Sequence, residues 1–255
     1  MWLQNRHQKI LSVLEARQRI TTDALVDEFG VSGETIRRDL IALEAKGLIQ
    51  RVHGGAILPQ APSEEPFKKR MALQQLEKTA IAKAAVRHIQ PGQSLFIDAG
   101  TTTIAFAWEL SKVPNISVIT NSYDIASILR NQNAQLEVLL LGGRIISDVP
   151  GTYGELTLSE ISRFQVDIAI MSPVALHPVY GAGSYAIHEA EVARTMIKHA
   201  QKLMILADQS KLNTSSHVQY CTCPKIDILV TNKSLTDENQ IMLLEAGIKE
   251  VITAK

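Results

Sequence analysis

The spacing of hydrophobic residues changes along the chain and divides it into two blocks. In residues 1–57 the apolar positions recur every three or four residues, as on one face of a helix, and proline is absent. Residues 59–66 hold three prolines, a composition typical of an extended linker. From residue 71 onward, short apolar runs alternate with amphipathic segments. The pattern predicts one domain at 1–57, a linker at 58–70 and a second domain at 71–255.

The first block is predicted to contain three helices and a short β ribbon. Thr22 is placed to cap the second helix, and Ser32 to cap the third after a break at Gly30. In the third helix, three apolar residues at i, i+4 and i+7 form one buried stripe: Ile36, Leu40 and Leu43. The stripe determines which side of this helix faces away from the core.

Polar side chains occupy that opposite side of the third helix. Glu34 and Arg38 point almost directly away from the stripe, and Thr35 and Arg37 flank them. Two helices joined by a tight turn form the helix-turn-helix plan, whose second helix enters the DNA major groove. Alternatively, the arginines only solvate a surface helix. Net charge does not distinguish DNA binding from a solvated surface, because residues 1–57 hold eight Lys or Arg against seven Asp or Glu.

Residues 48–57 consist of two short apolar runs around a basic segment and a glycine pair. This pattern favours a β wing beside the groove. We expect the wing to contact the DNA backbone rather than the bases, because two glycines leave few side chains for base reading. The DNA-contacting residues predicted for the first block are Ser32, Glu34, Thr35, Arg37, Arg38, Arg51, His53 and Gly54.

The second block alternates strand-like and helix-like segments. Strands are expected at 94–97, 116–120, 136–141, 167–171, 202–207 and 226–230. Helices are expected at 76–89, 101–110, 122–131, 155–163, 188–201 and 236–246. This alternation predicts the α/β class, with a Rossmann-like, mostly parallel sheet covered by helices on both faces. Ligands in such folds bind beyond the carboxyl ends of the strands.

Polar groups follow four of the predicted strands. The first is followed by Asp98, Gly100 and three threonines at the start of a helix, where free N–H groups favour an anion. This arrangement is typical of a phosphate cradle, although a threonine-rich turn is also an ordinary helix N-cap. Parallel strands would bring all four sets to one edge. The candidate effector-binding residues are Asp98, Gly100, Thr101, Thr102, Thr103, Asn121, Ser122, Gly142, Gly143, Arg144, Asp208 and Lys211.

Both blocks resemble one protein family over essentially the whole chain. The segments SGETIRRDL (32–40), LEAKG (43–47) and RVHGGA (51–56) resemble the N-terminal signature of the DeoR family of bacterial transcriptional regulators. The effector domain of that family carries motifs like DAGTT (98–102), TNS (120–122), LGG (141–143) and DQSK (208–211). The resemblance implies a winged helix-turn-helix DNA reader. It also implies an effector domain similar in fold to ribose-5-phosphate isomerase, which senses phosphorylated sugars or related metabolites.

The resemblance further implies roles for single residues. It assigns Gly100 and the threonines after it to a phosphate, with three polar positions nearby: Asn121, Gly143 and Lys211. Asp98 and Asp208 would face sugar hydroxyls or Lys211, and Arg144 together with Lys211 would supply positive charge. Residues 172–180 depart from the glycine-rich segment of better-known members, so the effector of a named relative does not transfer.

Composition narrows the function classes. Lys plus Arg (26) balance Asp plus Glu (26), so no global basic field indicates nucleic acid. Cys221 and Cys223 are too few and too close for a disulfide framework. No apolar run approaches the roughly 18 residues that a membrane span requires. We expect a cytoplasmic protein that does not contact a membrane.

Two weaker motifs are insufficient to predict a cofactor or a metal, and we expect neither. The segment GAGSYA (181–186) matches a loose dinucleotide fingerprint, but no strand ends immediately before its first glycine. Four residues are of types that bind zinc, but their spacing matches no common zinc motif: Cys221, Cys223, His188 and His217. His188, Glu189 and Glu191 open the next helix, where they either face a ligand or favour the helix dipole.

Three function classes follow from these features. The leading one is a transcriptional repressor of a carbohydrate-utilisation operon, released from its operator by a phosphorylated sugar or sugar acid and acting as a homodimer or homotetramer. The alternative is a sugar-phosphate isomerase-like enzyme with an appended DNA-binding domain, which would need a positioned general base. We assign no catalytic residue. The third class is an architectural DNA-binding factor, against which the four polar strand ends argue.

Overall fold

The computed structural model of the protein describes residues 3–17, 19–45, 49–52, 54–57, 64–232 and 235–254. The chain divides into two compact units, Met1–Ser63 and Glu64–Lys255. Residues 58–63 of the predicted linker lie outside the described residues. Residues 64–70, which the sequence pattern placed in the linker, group with the second unit, and a helix begins there at Phe67.

The first unit packs three helices against a small sheet. Its elements are α1 (Leu3–Arg17), β1 (Arg19–Thr21), α2 (Thr22–Phe29), α3 (Gly33–Ala45), β2 (Gln50–Val52) and β3 (Gly55–Ile57). β3 lies between β1 and β2 and pairs antiparallel with both. The sequence predicted the β2–β3 ribbon but not β1, whose three residues are too few to show a period.

The core of the first unit follows the predicted stripe. Ile36, Leu40 and Leu43 are buried together with Leu14 and Leu25. The N-cap of α2 is Thr21, not Thr22 as predicted. The Ala24 N–H donates to Oγ1 of Thr21 (3.2 Å). The chain is still extended at Thr21, at the end of β1, and an N-cap residue needs that conformation.

The second unit is built around a parallel sheet. Its first elements are α4 (Phe67–Ala72), α5 (Gln75–Val86), β4 (Ser94–Ile97), α6 (Thr101–Leu110), β5 (Ser117–Thr120), α7 (Tyr123–Gln132), β6 (Glu137–Leu140) and α8 (Glu155–Ile161). The remaining elements are β7 (Val166–Met171), β8 (Ala175–His177), β9 (Gly181–Ser184), α9 (Ile187–Lys198), β10 (Ala200–Leu206), β11 (Val218–Cys221), β12 (Ile228–Asn232), α10 (Asp237–Glu245) and β13 (Glu250–Ala254).

Seven strands form the main sheet, in the order β13-β12-β10-β7-β4-β5-β6, and every neighbouring pair is parallel. This confirms the predicted α/β class and all six predicted strands. The seventh strand, β13, was not predicted, because its sequence EVITA has only two consecutive large apolar residues and it lies at an edge.

A second, antiparallel sheet was also not predicted. It has the order β11-β9-β8, and β9 is the glycine-rich segment that matched the dinucleotide fingerprint. A Cβ on Gly181 would lie 2.1 Å from the carbonyl oxygen of Cys221, and one on Gly183 would lie 2.2 Å from Oγ of Ser216. These glycines therefore allow close packing between strands rather than a phosphate-binding turn.

The order of the main sheet locates a crevice. From β4 the chain proceeds outward through β5 to β6, and from β7 it proceeds the other way through β10 and β12 to β13. The direction reverses between β4 and β7, so the crevice that such sheets use for ligands lies after Ile97 and Met171. Across the described residues, no helix has the length and apolar character of a membrane span.

Candidate functional site

The exposed face of α3 carries the predicted DNA-contacting side chains. The side chains of Arg37 and Arg38 are 68% and 78% exposed. The carboxylate of Glu34 lies 3.9 Å from Arg37 and 3.5 Å from Arg38. These exposed ion pairs cost little to separate, so both guanidinium groups are available to DNA.

The two hydroxyl residues at the start of α3 stabilise the helix. The Thr35 N–H donates to Oγ of Ser32 (3.3 Å), and the two hydroxyl oxygens are 2.9 Å apart. Ser32 therefore acts as the predicted N-cap. These contacts stabilise the first turn of α3, and the arginines project from the next turn.

A buried ion pair that the sequence analysis missed holds α3 against α1. Asp39 is buried, Nη2 of Arg6 donates to its Oδ1 (3.0 Å), and Nε of Arg6 contacts Oδ2. Nε2 of His7 lies 3.2 Å from Oδ1. A signal was present, because Asp39 lies three residues after Ile36 and adjoins Leu40 on the buried stripe, where a carboxylate requires a partner.

The wing contributes one cation beside α3. The Arg51 N–H donates to Glu44 (2.9 Å), and the Arg51 guanidinium lies 3.7 Å from the same carboxylate. The Gly54 carbonyl accepts from the Thr22 N–H (2.8 Å), and Gly54 has a φ of +78°, which favours glycine. His53 lies outside the described residues.

A groove of about 370 Å³ runs between α3 and the wing. It brings together Arg37, Arg51 and Gly54 from the predicted set, while Arg38 and Glu34 lie outside it on the exposed side of α3. Two arginines that line one groove beside an exposed helix face suit an anion such as a phosphate.

In the second unit, a small polar cavity lies at the crevice between β4 and β7. It is lined by two of the predicted residues, Asp98 and Asn121. Residues outside the predicted effector-binding set complete its polar lining: Tyr153, Ser172, Ser184, Glu189 and Tyr220. The cavity volume of about 30 Å³ has room for only a few water molecules.

Several polar atoms in and beside this cavity lack a partner. Within the described residues, Oδ1 of Asn121 and the hydroxyls of Tyr153 and Tyr220 are buried and make no hydrogen bond. Nε2 of His188 is also buried without a hydrogen bond. The centre of the His188 ring lies 4.8 Å from that of Tyr153, in an edge-on contact. Each such group costs about 1–3 kcal/mol when left unsatisfied, so these atoms are suited to hydrogen bonds with a polar ligand.

Asp98 carries the strongest electrostatic perturbation in the cavity. Burial raises the pKa of its carboxyl to about 7, against two hydrogen bonds from the Ser172 N–H (3.1 and 3.2 Å) that lower it. The carboxylates of Glu189 and Glu64 raise this pKa further. Asp98 therefore changes its charge near neutral pH.

The turn after Asp98 uses its polar groups in two ways. Oγ1 of Thr103 lies within hydrogen-bond distance of the carbonyls of Asp98 (2.9 Å) and Gly100 (3.0 Å), so this hydroxyl serves the turn. In contrast, among the described residues the hydroxyls of Thr101 and Thr102 make no hydrogen bond, and no side chain caps the first turn of α6. Their hydroxyls and the N–H groups of that turn are the donors that an anion would use.

Of the predicted residues after β5 and β6, Asn121 lines the cavity, whereas Ser122, Gly142, Gly143 and Arg144 do not. Ser122 caps α7 by accepting from the Ile125 N–H (3.3 Å). The Gly142 N–H donates to Glu160 (2.6 Å), and a Cβ on Gly143, whose φ is +146°, would lie 2.1 Å from Oγ1 of Thr157. Arg144 is exposed and is not among the residues that line the cavity.

The predicted residues after β10 lie close to the segment that opens the second unit. Asp208 is buried and accepts from the N–H (2.9 Å) and hydroxyl (2.6 Å) of Ser210. With its amide oriented to donate, Gln74 also reaches Asp208, at 2.6 and 2.9 Å. Nζ of Lys211 lies 3.7 Å from Glu64. Gln74 and Glu64 had no distinguishing sequence signal, because they precede the sheet by 20 residues or more.

Comparison with known proteins was consistent across both units. A family model described as the DeoR-like helix-turn-helix domain matches residues 6–61, and the DeoR C terminal sensor domain matches residues 73–233. The glycerol-3-phosphate regulon repressor of Escherichia coli K12 is 33% identical over 89% of this chain and 90% of its own length. The HTH-type transcriptional repressor GlcR of Bacillus subtilis 168 is 34% identical, over 96% of each chain.

Among solved structures, ribose 5 phosphate isomerase A from Neisseria gonorrhoeae matches 56% of this chain and 55% of its own, with a TM-score of 0.40 and 17% identity.

Proposed function

Because the chain belongs to the DeoR family of transcriptional regulators, we propose that it is an operator-binding repressor that leaves DNA when a phosphorylated sugar or related metabolite binds its second unit. The two relatives named above are repressors, and one of them is named for the glycerol-3-phosphate regulon. By analogy, the genes under control encode carbohydrate utilisation.

The observation that carries the proposal is the polar cavity at the strand ends. Its lining includes buried hydrogen-bonding atoms that lack partners, and two residues after its lining residue Ala99 begins α6, whose first turn has no side-chain cap. Sugar hydroxyls would satisfy the buried atoms of Asn121, Tyr153 and Tyr220, and a phosphate would accept from the first turn of α6. Asp98 and Glu189 would accept hydrogen bonds from sugar hydroxyls.

The size of the cavity supports a regulatory role. A volume of about 30 Å³ is far too small for a sugar phosphate, so the site must open to bind one. A ligand that binds only the open form shifts the population toward that form, which is the behaviour required of an effector.

DNA binding is proposed for the exposed face of α3 and for the wing. Arg38 is the most exposed of the three candidate arginine side chains and is placed to contact bases, whereas Arg37 and Arg51 share a groove suited to the phosphate backbone.

We also expect a homodimer or homotetramer, because two recognition helices on repeated half-sites increase affinity. Light scattering of the free protein measures the assembly, and a monomer both free and on DNA would contradict it.

An isomerase is the second candidate, and one observation favours it. Asp98, with a pKa of about 7, lies beside Glu189 in the cavity, and a carboxylate that titrates near neutral pH suits a general base. Regulation needs no turnover, so the two candidates differ in what the bound metabolite becomes.

The experiment is a thermal-shift screen of phosphorylated sugars and sugar acids, followed by an operator titration and a turnover assay with each ligand found. We expect a ligand at 100 times its dissociation constant to add about 2.7 kcal/mol of stability and to weaken operator binding. Thr102→Val should lose the shift and still bind the operator. Turnover at about 1 per second or faster, without any effect on DNA binding, would favour the isomerase.

A further inference from the structure

A partly buried cluster of three charges lies at the start of the second unit. An Oε atom of Glu64 lies 2.7 Å from Nη1 of Arg70 and 3.7 Å from Nζ of Lys211. The side chains of Glu64 and Arg70 are only 16% and 13% exposed, in contrast to the exposed pair formed by the adjacent residue, Glu65, with Lys69. Glu64 is also the first described residue after the linker.

Arg70 is positioned by contacts that do not involve Glu64. Its Nε donates to the carbonyl of Glu65 (2.8 Å), and its guanidinium carbon lies 5.2 Å from the centre of the Phe67 ring. Phe67 is itself buried, and its N–H donates to Asp148 (2.6 Å). The guanidinium therefore keeps its place when Glu64 moves, which is a requirement for an anion-binding group.

The cluster and the cavity share one electrostatic environment. Burial raises the pKa of Glu64, and the carboxylates of Glu189 and Asp148 raise it further, whereas Arg70 and Lys211 lower it. Glu64 in turn raises the pKa of Asp98. Helix α4, which carries Arg70, also packs against α6, which begins three residues after the cavity-lining Asp98.

These contacts leave an excess of carboxylates. Glu64 interacts with the carboxyl groups of Asp98, Asp148 and Glu189. The cations that interact with Glu64 are Arg70, Lys211 and Lys78. A phosphate dianion added to this set would be strongly disfavoured by like charges. If Glu64 moves out into solvent as the phosphate enters, the cluster gains only one negative charge instead of two.

We propose that Arg70 and Lys211 are the cations of a subsite that binds the phosphate group of the effector, whose other oxygens accept from the first turn of α6, and that Glu64 pairs with both cations in the effector-free protein. The inference rests on the proposed function and deepens it. A phosphate dianion offers more charge and more acceptor oxygens to a guanidinium and an ammonium than one carboxylate does, so it displaces Glu64. Six residues separate Glu64 from Ile57 at the end of the wing strand.

Inorganic phosphate is the probe for this subsite, since it needs no knowledge of the sugar. Glu64→Gln should bind inorganic phosphate at least about tenfold more tightly than the wild type at constant ionic strength, because the competing carboxylate is gone. Glu65→Gln is the matched control: it removes the same charge one residue away and should behave like the wild type. Calorimetry and the phosphate dependence of the melting temperature measure both variants.

Double variants identify the cations. Glu64→Gln/Arg70→Gln and Glu64→Gln/Lys211→Gln should each lose the gain in phosphate affinity. If Glu64→Gln alone is too unstable for calorimetry, added phosphate should restore its melting temperature, which a purely structural role of Glu64 does not predict. Equal phosphate binding by Glu64→Gln and Glu65→Gln would overturn the inference.

The outcome also separates this inference from the proposed function. If phosphorylated sugars release the wild type from its operator and Arg70→Gln binds those sugars unchanged, the function stands and the subsite is wrong. If Glu64→Gln gains phosphate affinity and no phosphorylated sugar releases the wild type, the subsite stands and the proposed effector class is wrong.

Discussion

At the scale of single residues, the cavity depends on Asp98, whose carboxyl is held by the Ser172 N–H and yet is destabilised when it ionises. A pKa raised to about 7 in the folded state, against about 3.9 in an unfolded chain, means that the folded protein retains a proton there over that pH range. This group therefore lowers the free energy of unfolding as pH rises from about 4 to 7.

We expect Asp98→Asn to remove this penalty. The variant should gain melting temperature relative to the wild type at pH 8, and the gain should shrink toward pH 5, where Asp98 is already protonated. Parallel melting curves of both proteins across that range measure the difference. A difference that stays constant with pH would show that Asp98 is not the titrating group.

Arg38 is the residue on which DNA recognition is expected to depend most. Its guanidinium is exposed on α3 and held only by a surface pair with Glu34. Arg38→Ala should cost about 1–3 kcal/mol of operator binding and leave the melting temperature unchanged. Arg17→Ala, which removes an exposed arginine from α1, is the control. Equal losses in the two variants in a gel-shift titration at fixed salt would contradict a specific role for Arg38.

Sequence reasoning succeeded where a residue's role is local. The outward direction of Arg38 and the cap at Ser32 follow from the apolar stripe and the chain break before α3. Tyr153 and Tyr220 were not identified, because their roles depend on distant segments that meet at the crevice. Arg144 follows a strand end as a ligand residue would, but it lies on the exposed side of its loop.

At the scale of elements, the position of α3 depends on its tie to α1. Asp39 accepts from Arg6 and contacts His7 across the two helices, and Asp39 itself is buried. The loss of one member of a buried ion pair costs about 3–5 kcal/mol, because the remaining charge loses its compensation.

Asp39→Asn should therefore destabilise the first unit and leave the second unit intact. A loss of about 3 kcal/mol corresponds to roughly a hundredfold faster hydrogen exchange in peptides of α1 and α3 if exchange reports opening of this unit. Asp27→Asn, at an exposed position of α2, is the control. Hydrogen-exchange mass spectrometry measures each unit separately. Unchanged hydrogen exchange in α1 and α3 would show that the ion pair of Asp39 with Arg6 does not stabilise the first unit.

The elements that were predicted and those that were missed differ in burial and length. Strands β4, β7 and β10 lie inside a parallel sheet, where continuous apolar runs are required, so their positions could be predicted. Strands β1 and β8 have three residues each, and β9 is glycine-rich, so no hydrophobic period marks them. Helix α4 follows a proline-rich stretch and has six residues, too few to distinguish it from a linker.

At the scale of the whole molecule, one short segment of the chain links the DNA-binding unit to the sensor unit. The sensor cavity is small, and the sensor unit begins at Glu64, which lies beside two cations. An effector that opens the cavity and displaces Glu64 changes the sensor unit where the linker joins it. To move a population from 1:99 to 99:1, it must bind the DNA-free form about 10⁴-fold more tightly than the other.

The central claim is that occupation of the cavity by a phosphorylated metabolite weakens operator binding. The most direct measurement is a fluorescence-anisotropy titration of labelled operator, with and without a saturating ligand from the thermal-shift screen, for the wild type and Thr102→Val. The account predicts that the ligand raises the operator dissociation constant of the wild type by at least about tenfold, or 1.4 kcal/mol, and leaves that of Thr102→Val unchanged. An operator affinity of the wild type that is the same with and without a ligand that binds the second unit would contradict it.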